Sequence, residues 1–519
     1  MRSILLTLIA AAVLFPLTAN ATDVEGDVWG TWTKENSPYN VIGEVRVPPE
    51  STLVIEPGVL VDFQGHYKFI VDSLATLLAV GTETDSIFFT CDTLTNPDRW
   101  HGIRFIYANP SCHISYCRLE SGKATGSWPD PDANGGAIYC YYSSPTISHN
   151  TISGNSAEYG GGGIYCEPGS RSMISNNTIT GNSAKYSGGG IYCSDSRPTM
   201  SNNTISRNSA ESRGGGGIYC EYGSNPMISN NIITENSAER RGGGIYCYYL
   251  SSPSISNNSI SGNSVVLEGG GLHCNYYSSP TINNNSISDN SATGEYGMGG
   301  GIYCYYYSSP TITNTILWGD TAPNGPEIFL EENSDPTITY SDVQGGWPGE
   351  GNIDVDPLFR DPEAADFHLM ADYCGDPDNS PCMDAGHPDS LDVLLDCFHG
   401  LGTDRADMGA YGGRNSGWPT GIENGEGGLL IPKRFLLLQN YPNPFNATTV
   451  IEYQLPARRY VKLEVCNILG QRVTTLVDER QQTGYRSVVW DASTVSSGIY
   501  FYKLTAGDFS ETRRMMLVK

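Results

Sequence analysis

The middle of the chain consists of near-identical repeats, and this feature constrains the fold more than any other. A motif close to Gly-Gly-Gly-Ile-Tyr-Cys recurs in units that end at Cys140, Cys166, Cys193, Cys220, Cys247, Cys274 and Cys304. The cysteines are 26, 27, 27, 27, 27 and 30 residues apart. A second motif, Ser-Asn-Asn-Thr-Ile-Thr-Gly-Asn-Ser-Ala at 175–184, recurs between them. This period indicates a solenoid in which each unit packs on its neighbours.

The pattern inside each unit is that of short strands. Apolar and polar residues alternate in Ile164-Tyr165-Cys166 and Met173-Ile174-Ser175, and Gly, Asn, Ser and Pro separate such segments. A leucine-rich repeat would fit the period, but it needs a leucine skeleton and a helical side, and leucine is nearly absent between residues 135 and 315. The pattern therefore predicts an all-β parallel β-helix with three short strands per coil.

A residue type repeated at the coil period forms a continuous stack, because paired strands lie about 4.8 Å apart. We expect the isoleucines of the first motif to form an apolar ladder inside the coil. We also expect a hydrogen-bonded ladder of buried amides at a turn, since each amide can donate to one neighbour and accept from the other. Its members are Asn150, Asn177, Asn203, Asn231, Asn258, Asn285 and Asn314.

The repeated cysteines are predicted to be buried, unreactive thiols rather than disulfides. Stacked neighbours have parallel Cβ bonds, which disfavour the torsion of a disulfide. A metal-binding thiol ladder is the alternative, but it has no precedent in the ligand spacings of zinc sites. Cys374 and Cys382 lie in a loop-rich stretch and are the pair that we expect to be cross-linked.

A row of aromatic residues lies between the repeated isoleucines and cysteines. It consists of Tyr139, Tyr165, Tyr192, Tyr219, Tyr246, His273 and Tyr303. Alternation places these side chains outside the coil. More tyrosines follow them and extend the expected exposed strip, namely Tyr141, Tyr142, Tyr222, Tyr248, Tyr249, Tyr276, Tyr277, Tyr305, Tyr306 and Tyr307. The exposed strip has two interpretations. It either stabilises the sheet by cross-strand stacking or forms a platform that binds glycans.

The repeats resemble those of secreted bacterial proteins with a right-handed parallel β-helix of the pectin-lyase-like class. Leu53-Val54-Ile55-Glu56-Pro57-Gly58 resembles their opening coils, and Ala406-Asp407-Met408-Gly409-Ala410-Tyr411 resembles the segment that follows them. The resemblance implies a β-helix over residues 22–413, including a C-terminal capping segment, with the clearest repeats at 135–315.

The resemblance also raises the question of catalysis, since many proteins of this fold are polysaccharide lyases or hydrolases. Such enzymes need paired carboxylates or a calcium-carboxylate cluster. Acidic residues on the repeats, such as Glu158, Glu167, Glu221 and Glu268, do not occupy equivalent positions. We therefore expect a non-catalytic adhesion or glycan-binding protein without cofactor or metal. A polysaccharide lyase or glycoside hydrolase is the alternative.

The N-terminus has the pattern of a signal peptide. Met1-Arg2-Ser3 precedes an apolar run, which ends before Ala19-Asn20-Ala21. This pattern predicts cleavage after Ala21 and a segment 1–21 that is removed. An uncleaved anchor is the alternative, but the run is too short to span a bilayer comfortably, so no transmembrane anchor is expected. With 56 acidic and 30 basic residues, the net charge of −26 makes nucleic acid an improbable partner.

The C-terminal part of the chain changes character. Residues 414–432 are rich in Gly, Asn and Glu and are predicted to be a linker. Alternation resumes in 433–519, for example at Val461, Leu463 and Val465, and predicts a small immunoglobulin-like β-sandwich. A plain adhesion module of that kind is one interpretation.

This tail also resembles the C-terminal sorting domain of proteins exported by the type IX secretion system. The resemblance rests on Tyr441-Pro442-Asn443-Pro444-Phe445-Asn446, on 467–473 and on the terminal Met515-Met516-Leu517-Val518-Lys519. It implies a Gram-negative cell, the type IX machinery as partner, and release or attachment at the outer-membrane surface.

Overall fold

The computed structural model describes residues 21–127, 129–392, 395, 397, 399–403, 405–413, 435–437, 440, 443, 445–455, 458–481, 484–507 and 509–518. The chain divides into two compact units, Met1–Pro419 and Thr420–Lys519. The predicted signal peptide, apart from Ala21, and the predicted linker lie outside the described residues. No helix within the described ranges is long and apolar enough to cross a membrane.

The first unit is a parallel β-solenoid, which confirms the predicted fold class. Each regular coil contributes one strand to each of four stacks, which we call sheets 1 to 4 in chain order. The prediction was three strands per coil. The additional strand, in sheet 4, is only two residues long. Tyr39–Val47 joins sheets 1 and 3, and Thr22–Asp27 pairs with it. Short 3₁₀ helices occur at Lys34–Asn36, Pro131–Ala133, Pro362–Ala364 and Asp372–Cys374, and the described part of the chain contains no α-helix.

The strands of each sheet recur at the coil period. Sheet 1 comprises Phe69–Val71, Ile103–Ile106, Ile138–Tyr141, Ile164–Cys166, Ile191–Ser194, Ile218–Glu221, Ile245–Tyr248, Leu272–Asn275, Ile302–Tyr305 and Ile328–Leu330. Sheet 2 comprises Gly30–Trp32, Thr52–Ile55, Thr76–Val80, His113–Ser115, Thr146–Ser148, Met173–Ser175, Thr199–Ser201, Met227–Ser229, Ser254–Ser256, Thr281–Asn283, Thr311–Thr313 and Thr337–Thr339. Sheet 3 comprises Leu60–Phe63, Ile87–Thr90, Cys117–Glu120, Thr151–Ser153, Thr178–Thr180, Thr204–Ser206, Ile232–Thr234, Ser259–Ser261, Ser286–Ser288, Ile316–Trp318 and Asp342–Val343. Sheet 4 comprises Lys123–Ala124, Ser156–Ala157, Ser183–Ala184, Ser209–Ala210, Ser237–Ala238, Ser264–Val265 and Ser291–Ala292.

The coils stack in register, so like residues meet. Ile164 pairs with Ile138 and Ile191, and Cys166 pairs with Cys140 and Cys193. The isoleucines and cysteines of sheet 1 are fully buried in one continuous apolar core with the inward residues of sheets 2 and 3. The seven repeated cysteines are free thiols, so in this structure they act as small apolar side chains.

The segment after the last coils folds back along the solenoid. Strands Phe359–Asp361 and Asp366–Leu369 pair in antiparallel orientation, and an apolar cluster that includes Phe367 and Met408 packs on Ile316. The side chain of Asn257 donates hydrogen bonds to the carbonyls of Ala410 and Gly412 at 3.0 and 2.7 Å. These contacts fix residues up to 413 against the outside of the coils.

The predicted disulfide between Cys374 and Cys382 is wrong. Cys374 is bonded to Cys397 instead, with a Cα–Cα distance of 5.6 Å. Cys382 is buried in the apolar cluster, and its thiol donates to a carboxyl oxygen of Asp342 at 3.2 Å. The short sequence separation of Cys374 and Cys382 did not indicate the correct pair. Cys382 packs against the solenoid, and the residue that reaches Cys374 is Cys397.

The second unit contains two antiparallel sheets around one apolar core. One sheet consists of Leu436–Leu437, Thr448–Leu455 and Gly484–Asp491. The other consists of Arg472–Gln481, Arg459–Asn467, Gly498–Ala506 and Phe509–Leu517. Buried side chains from both sheets, among them Ile451, Leu463, Trp490 and Tyr502, form the core.

Candidate functional site

The part of the predicted aromatic strip that lies within sheet 1 is not exposed, so this part of the site prediction is wrong. Tyr139, Tyr165, Tyr192, Tyr219, Tyr246 and Tyr303 are 1–4% exposed, and His273 is 0% exposed. They lie outside the isoleucine and cysteine core, as alternation predicts, and the tyrosines of the first five coils form a separate cluster. The connections from sheet 4 to sheet 1 cover them. The ring of Tyr159, in one such connection, lies 6.2 Å from that of Tyr192.

Carboxylates accept hydrogen bonds from the hydroxyls of this row, namely those of Glu167, which is half-buried, and Glu221, which is buried. Tyr139 donates to Glu167 at 2.7 Å, and Tyr219 donates to Glu221 at 3.0 Å. Tyr192 donates to the other carboxylate oxygen of Glu221. Burial raises the pKa of both glutamates, although the tyrosine hydrogen bonds oppose that shift. The two glutamates therefore complete a buried polar network rather than face a ligand.

Exposed aromatic side chains occur one turn later, where the chain leaves sheet 1. Eight tyrosines on four successive coils form what we call the tyrosine surface. Five are exposed, namely Tyr222, Tyr249, Tyr276, Tyr277 and Tyr307, and three are half-buried, namely Tyr248, Tyr305 and Tyr306. The ring centroids of Tyr222 and Tyr249 are 5.8 Å apart, those of Tyr248 and Tyr276 5.5 Å, those of Tyr276 and Tyr306 4.7 Å, and those of Tyr277 and Tyr307 5.4 Å. Tyr222, Tyr277 and Tyr307 are 56%, 48% and 47% exposed. The rings thus form one contiguous, solvent-facing surface.

The backbone of the tyrosine surface adopts a conformation that disfavours tyrosine. The φ angles are 55° at Tyr222, 51° and 59° at Tyr276 and Tyr277, and 53° and 56° at Tyr306 and Tyr307. A residue with a side chain in this left-handed region costs about 1–2 kcal/mol. Bulky residues that persist in such a conformation are concentrated at functional sites. Glycine or asparagine would adopt this conformation at lower cost, and other non-glycine residues of the solenoid adopt it as well, for example Asp195 and Leu250.

Two serine ladders hold the turns that carry the tyrosine surface. The backbone N–H groups of Ser224, Ser251 and Ser278 donate to the hydroxyl of the serine on the next coil at 3.1–3.2 Å. The N–H groups of Ser279 and Ser309 donate to the hydroxyls of Ser252 and Ser279, both at 2.8 Å. Sequence analysis missed these ladders, although their signal is visible as Ser-Ser-Pro at 251–253, 278–280 and 308–310.

The asparagines from Asn150 to Asn285 form a continuous ladder of buried amides between sheets 2 and 3. The Nδ2 of Asn177, for example, donates to Oδ1 of Asn203 at 3.0 Å, and Asn203 donates to Asn231 at 2.9 Å. Asn314 is not a member, contrary to prediction. The next position is Thr315, whose hydroxyl accepts from the N–H of Asn285 at 3.4 Å. Asn314 lies one residue earlier and donates to Asn284.

A second asparagine ladder, which sequence analysis missed, lies between sheets 3 and 4. Its members are Asn155, Asn182, Asn208, Asn236, Asn263 and Asn290, linked by amide contacts of 2.9–3.0 Å. The second asparagine of the repeated Asn-Thr-Ile-Thr-Gly-Asn segment was its signal. Both ladders are structural, since their side chains are buried between coils.

A buried carboxyl pair ends the second ladder. Asn290 donates to Oδ1 of Asp320 at 2.9 Å, and the N–H of Asp320 donates to Oε1 of Glu327 at 3.2 Å. In the ladder, the backbone N–H of each member donates to the side-chain oxygen of the asparagine on the next coil, and at Asp320 the carboxylate oxygen of Glu327 accepts this bond instead. Both residues line a cavity of about 420 Å³. Burial and mutual repulsion raise the pKa of Asp320, and burial raises that of Glu327 to about 7.

The hydrogen bonds of this pair are those of a ladder end. Oδ1 of Asp320 accepts from Asn290, and Oε1 of Glu327 accepts from the backbone N–H of Asp320. Among the described residues, no group of three or more His, Cys, Asp or Glu side chains could hold a metal ion. Ladder termination accounts for one oxygen of each carboxyl, whereas Oδ2 of Asp320 and Oε2 of Glu327 are buried and have no hydrogen-bond partner among the described residues.

Comparison with known families agrees with this architecture. Residues 93–260 match the family described as right handed beta helix region, and residues 439–519 match the secretion system C-terminal sorting domain. Neither the curated proteins nor the solved structures gave a match. The fold defines the class as a β-solenoid repeat protein. The chain contains a right-handed β-helix region and a C-terminal sorting domain of the type IX secretion system, and this combination supports a secreted or cell-surface protein.

Proposed function

We propose that this protein binds extracellular polysaccharide through its tyrosine surface and does not cleave it. The observation that carries the proposal is the contiguous group of exposed tyrosines in left-handed turns. Tyrosine combines a large apolar ring with a hydroxyl, a combination that suits contact with sugars, which carry both C–H and O–H groups. Contiguous exposed aromatic surface on a secreted protein is typical of a binding site.

Rigid support favours binding at this surface. The serine ladders fix each turn to the next, so the rings lose little conformational freedom when a ligand binds. The buried row from Tyr139 to Tyr303 has a different role in the proposal. It supports the sheet beneath the surface and does not contact the glycan.

The sorting domain determines the cellular location that we propose for the protein. We take the host to be a Gram-negative bacterium whose type IX machinery exports the chain to the outer-membrane surface or the medium. There, a glycan-binding β-helix would act in adhesion to a polysaccharide matrix or to another cell. Removal of the predicted signal peptide after Ala21 would precede this export.

The direct test combines substitution with two kinds of assay. Tyr277→Ser with Tyr307→Ser removes two rings that stack on each other, and Tyr296→Ser is the matched control because Tyr296 is 71% exposed but lies outside the tyrosine surface. On a glycan array, the double variant should lose binding and the control should keep it. Equal binding by all three proteins would refute the proposal.

The same sugars should be assayed for reducing ends and unsaturated products. Binding without products is the expected result. Turnover would instead favour a polysaccharide lyase or a glycoside hydrolase. A Glu327→Gln variant would then test the carboxyl pair, since loss of turnover in it would assign catalysis to that pair.

A further inference from the structure

The tyrosine surface lacks basic side chains. The four turn segments that carry it, 221–226, 248–253, 275–280 and 305–310, contain no lysine or arginine. Their one acidic residue is Glu221, which is buried and accepts hydrogen bonds from Tyr192 and Tyr219. The four turns therefore carry no exposed charge, although the exposed Arg213, on the adjoining connection, lies near enough to act on Tyr222 at one edge of the surface.

Acidic groups begin where the tyrosine surface ends. The N–H of Tyr307 donates to the carbonyl of Glu332 at 2.9 Å, so the exposed Glu331 and Glu332 follow the last tyrosines directly. The opposite border carries one charge of each sign, at Asp195 and Arg197. The net charge of the whole chain is −26. Because charges act over about 8 Å at physiological salt, an anionic polymer on this surface would be repelled.

We infer that the ligand is an uncharged polysaccharide that lies along the coil axis, rather than a uronate or a sulfated polymer. This inference rests on the proposed function. Carboxylate and sulfate groups are recognised by guanidinium or ammonium partners, which the four turn segments do not offer. Neutral sugars need apolar ring area and hydroxyl groups, both of which tyrosine supplies. The glutamates at the border add selectivity, because they disfavour the wrong ligand.

The size of the tyrosine surface limits the length of chain that it can bind. Four coils span three steps of about 4.8 Å, or ~14 Å along the axis. This length accommodates a short oligosaccharide of a few residues. Affinity should therefore increase as sugar residues are added and then stay constant once the ligand reaches the ends of the surface.

The experiment is a calorimetric titration of the full chain with two series of oligosaccharides. The uncharged series consists of β-1,4-linked gluco-, manno- and xylo-oligosaccharides of increasing length, and the acidic series consists of oligogalacturonates and alginate oligomers. We expect at least one uncharged series to bind, with a gain of about tenfold from the disaccharide to the tetrasaccharide, equivalent to ~1.4 kcal/mol, and little gain beyond. The acidic series should not bind.

A charge-reversal variant tests the selectivity. Glu332→Lys should permit binding of the acidic series, most strongly at low salt, whereas Glu295→Lys, an exposed change away from the tyrosine surface, should not. Tighter binding of acidic than of uncharged oligomers by the wild type, lost in the Tyr277→Ser, Tyr307→Ser variant, would overturn the inference but leave the proposed function standing. Absence of binding in both series, or binding that survives the tyrosine changes, would overturn the proposed function itself.

Discussion

Removal of one rung of the first asparagine ladder tests what holds the coils together. The side chain of Asn203 is 1% exposed and makes four hydrogen bonds. Its Nδ2 donates to the carbonyl of Ile174 at 2.8 Å and to Oδ1 of Asn231 at 2.9 Å. Its Oδ1 accepts from the backbone N–H and the Nδ2 of Asn177, both at 3.0 Å. Asn203→Ala would remove the side-chain partner of the N–H of Asn177 and of the carbonyl of Ile174, both buried. Nδ2 of Asn177 would still donate to the carbonyl of Ile147, and Oδ1 of Asn231 would still accept from the backbone N–H of residue 203.

The magnitude follows from the number of groups left without a partner. An unsatisfied buried polar group costs about 1–3 kcal/mol, and water can enter part of the space that the amide vacates. We therefore expect Asn203→Ala to lower the free energy of unfolding by about 2–4 kcal/mol. Because a solenoid couples mainly neighbouring coils, hydrogen exchange should accelerate around residues 174–231 and change little around 311–339.

The assay is chemical denaturation followed by circular dichroism, together with hydrogen exchange measured by mass spectrometry. Asn202→Gly is the matched control, since Asn202 precedes the ladder and has a φ of 57° that glycine accepts without strain. The control should change the midpoint little. An Asn203→Ala midpoint and exchange pattern identical to wild type would show that water replaces the amide at no cost and would refute the reasoning.

Three further predictions concern other parts of the chain. Cys397→Ser should leave Cys374 as a free thiol that is alkylated in the unfolded, non-reduced protein, whereas Cys382→Ser should leave the Cys374–Cys397 disulfide intact. Mass spectrometry of the alkylated peptides distinguishes the two results, and the reverse result would contradict the assigned pair. Because burial raises the pKa of Glu327 to about 7, the stability that its protonated form contributes is complete below about pH 4.5 and is lost as the pH rises through 7. Glu327→Gln should therefore flatten the decline of the denaturation midpoint between pH 5 and 8, and an equally steep decline would disprove this assignment. Deletion of residues 433–519 should leave a folded β-helix in the periplasm, and normal surface display of the truncated chain would exclude the sorting role.

The sequence was sufficient to predict the solenoid and the residues of its core. Repeats with period-two alternation fix which residues face inward, because a slip of one residue would expose every isoleucine. The same rule placed Tyr165 on the opposite side of the strand from Ile164, which is correct. It could not predict burial, because burial of that face depends on connections whose course is not periodic, such as the one that carries Tyr159.

The tyrosines that follow the strands were expected to extend the exposed strip, but alternation alone does not determine their direction. Tyr276 and Tyr277 follow a strand, and their direction depends on left-handed φ angles that a run of tyrosines does not suggest. The second asparagine ladder could have been predicted from the sequence, since the asparagine at position 182 recurs with the same period as the one at position 177. The disulfide was not, because the pairing of Cys374 depends on how the segment after the coils folds back.

The in-register pairing of the coils has a consequence for how such a chain can change during evolution. Each coil makes the same type of contact with the coil before it and the coil after it. Asn203, for example, accepts a hydrogen bond from Asn177 on one side and donates the same kind of bond to Asn231 on the other. Duplication of about 27 residues in the gene would therefore insert a coil that its neighbours accept without adjustment. Each added copy of a unit such as 275–304 would extend the tyrosine surface by one step. If the proposed site binds a polymer, the length that it contacts would then be set by copy number rather than by point mutation.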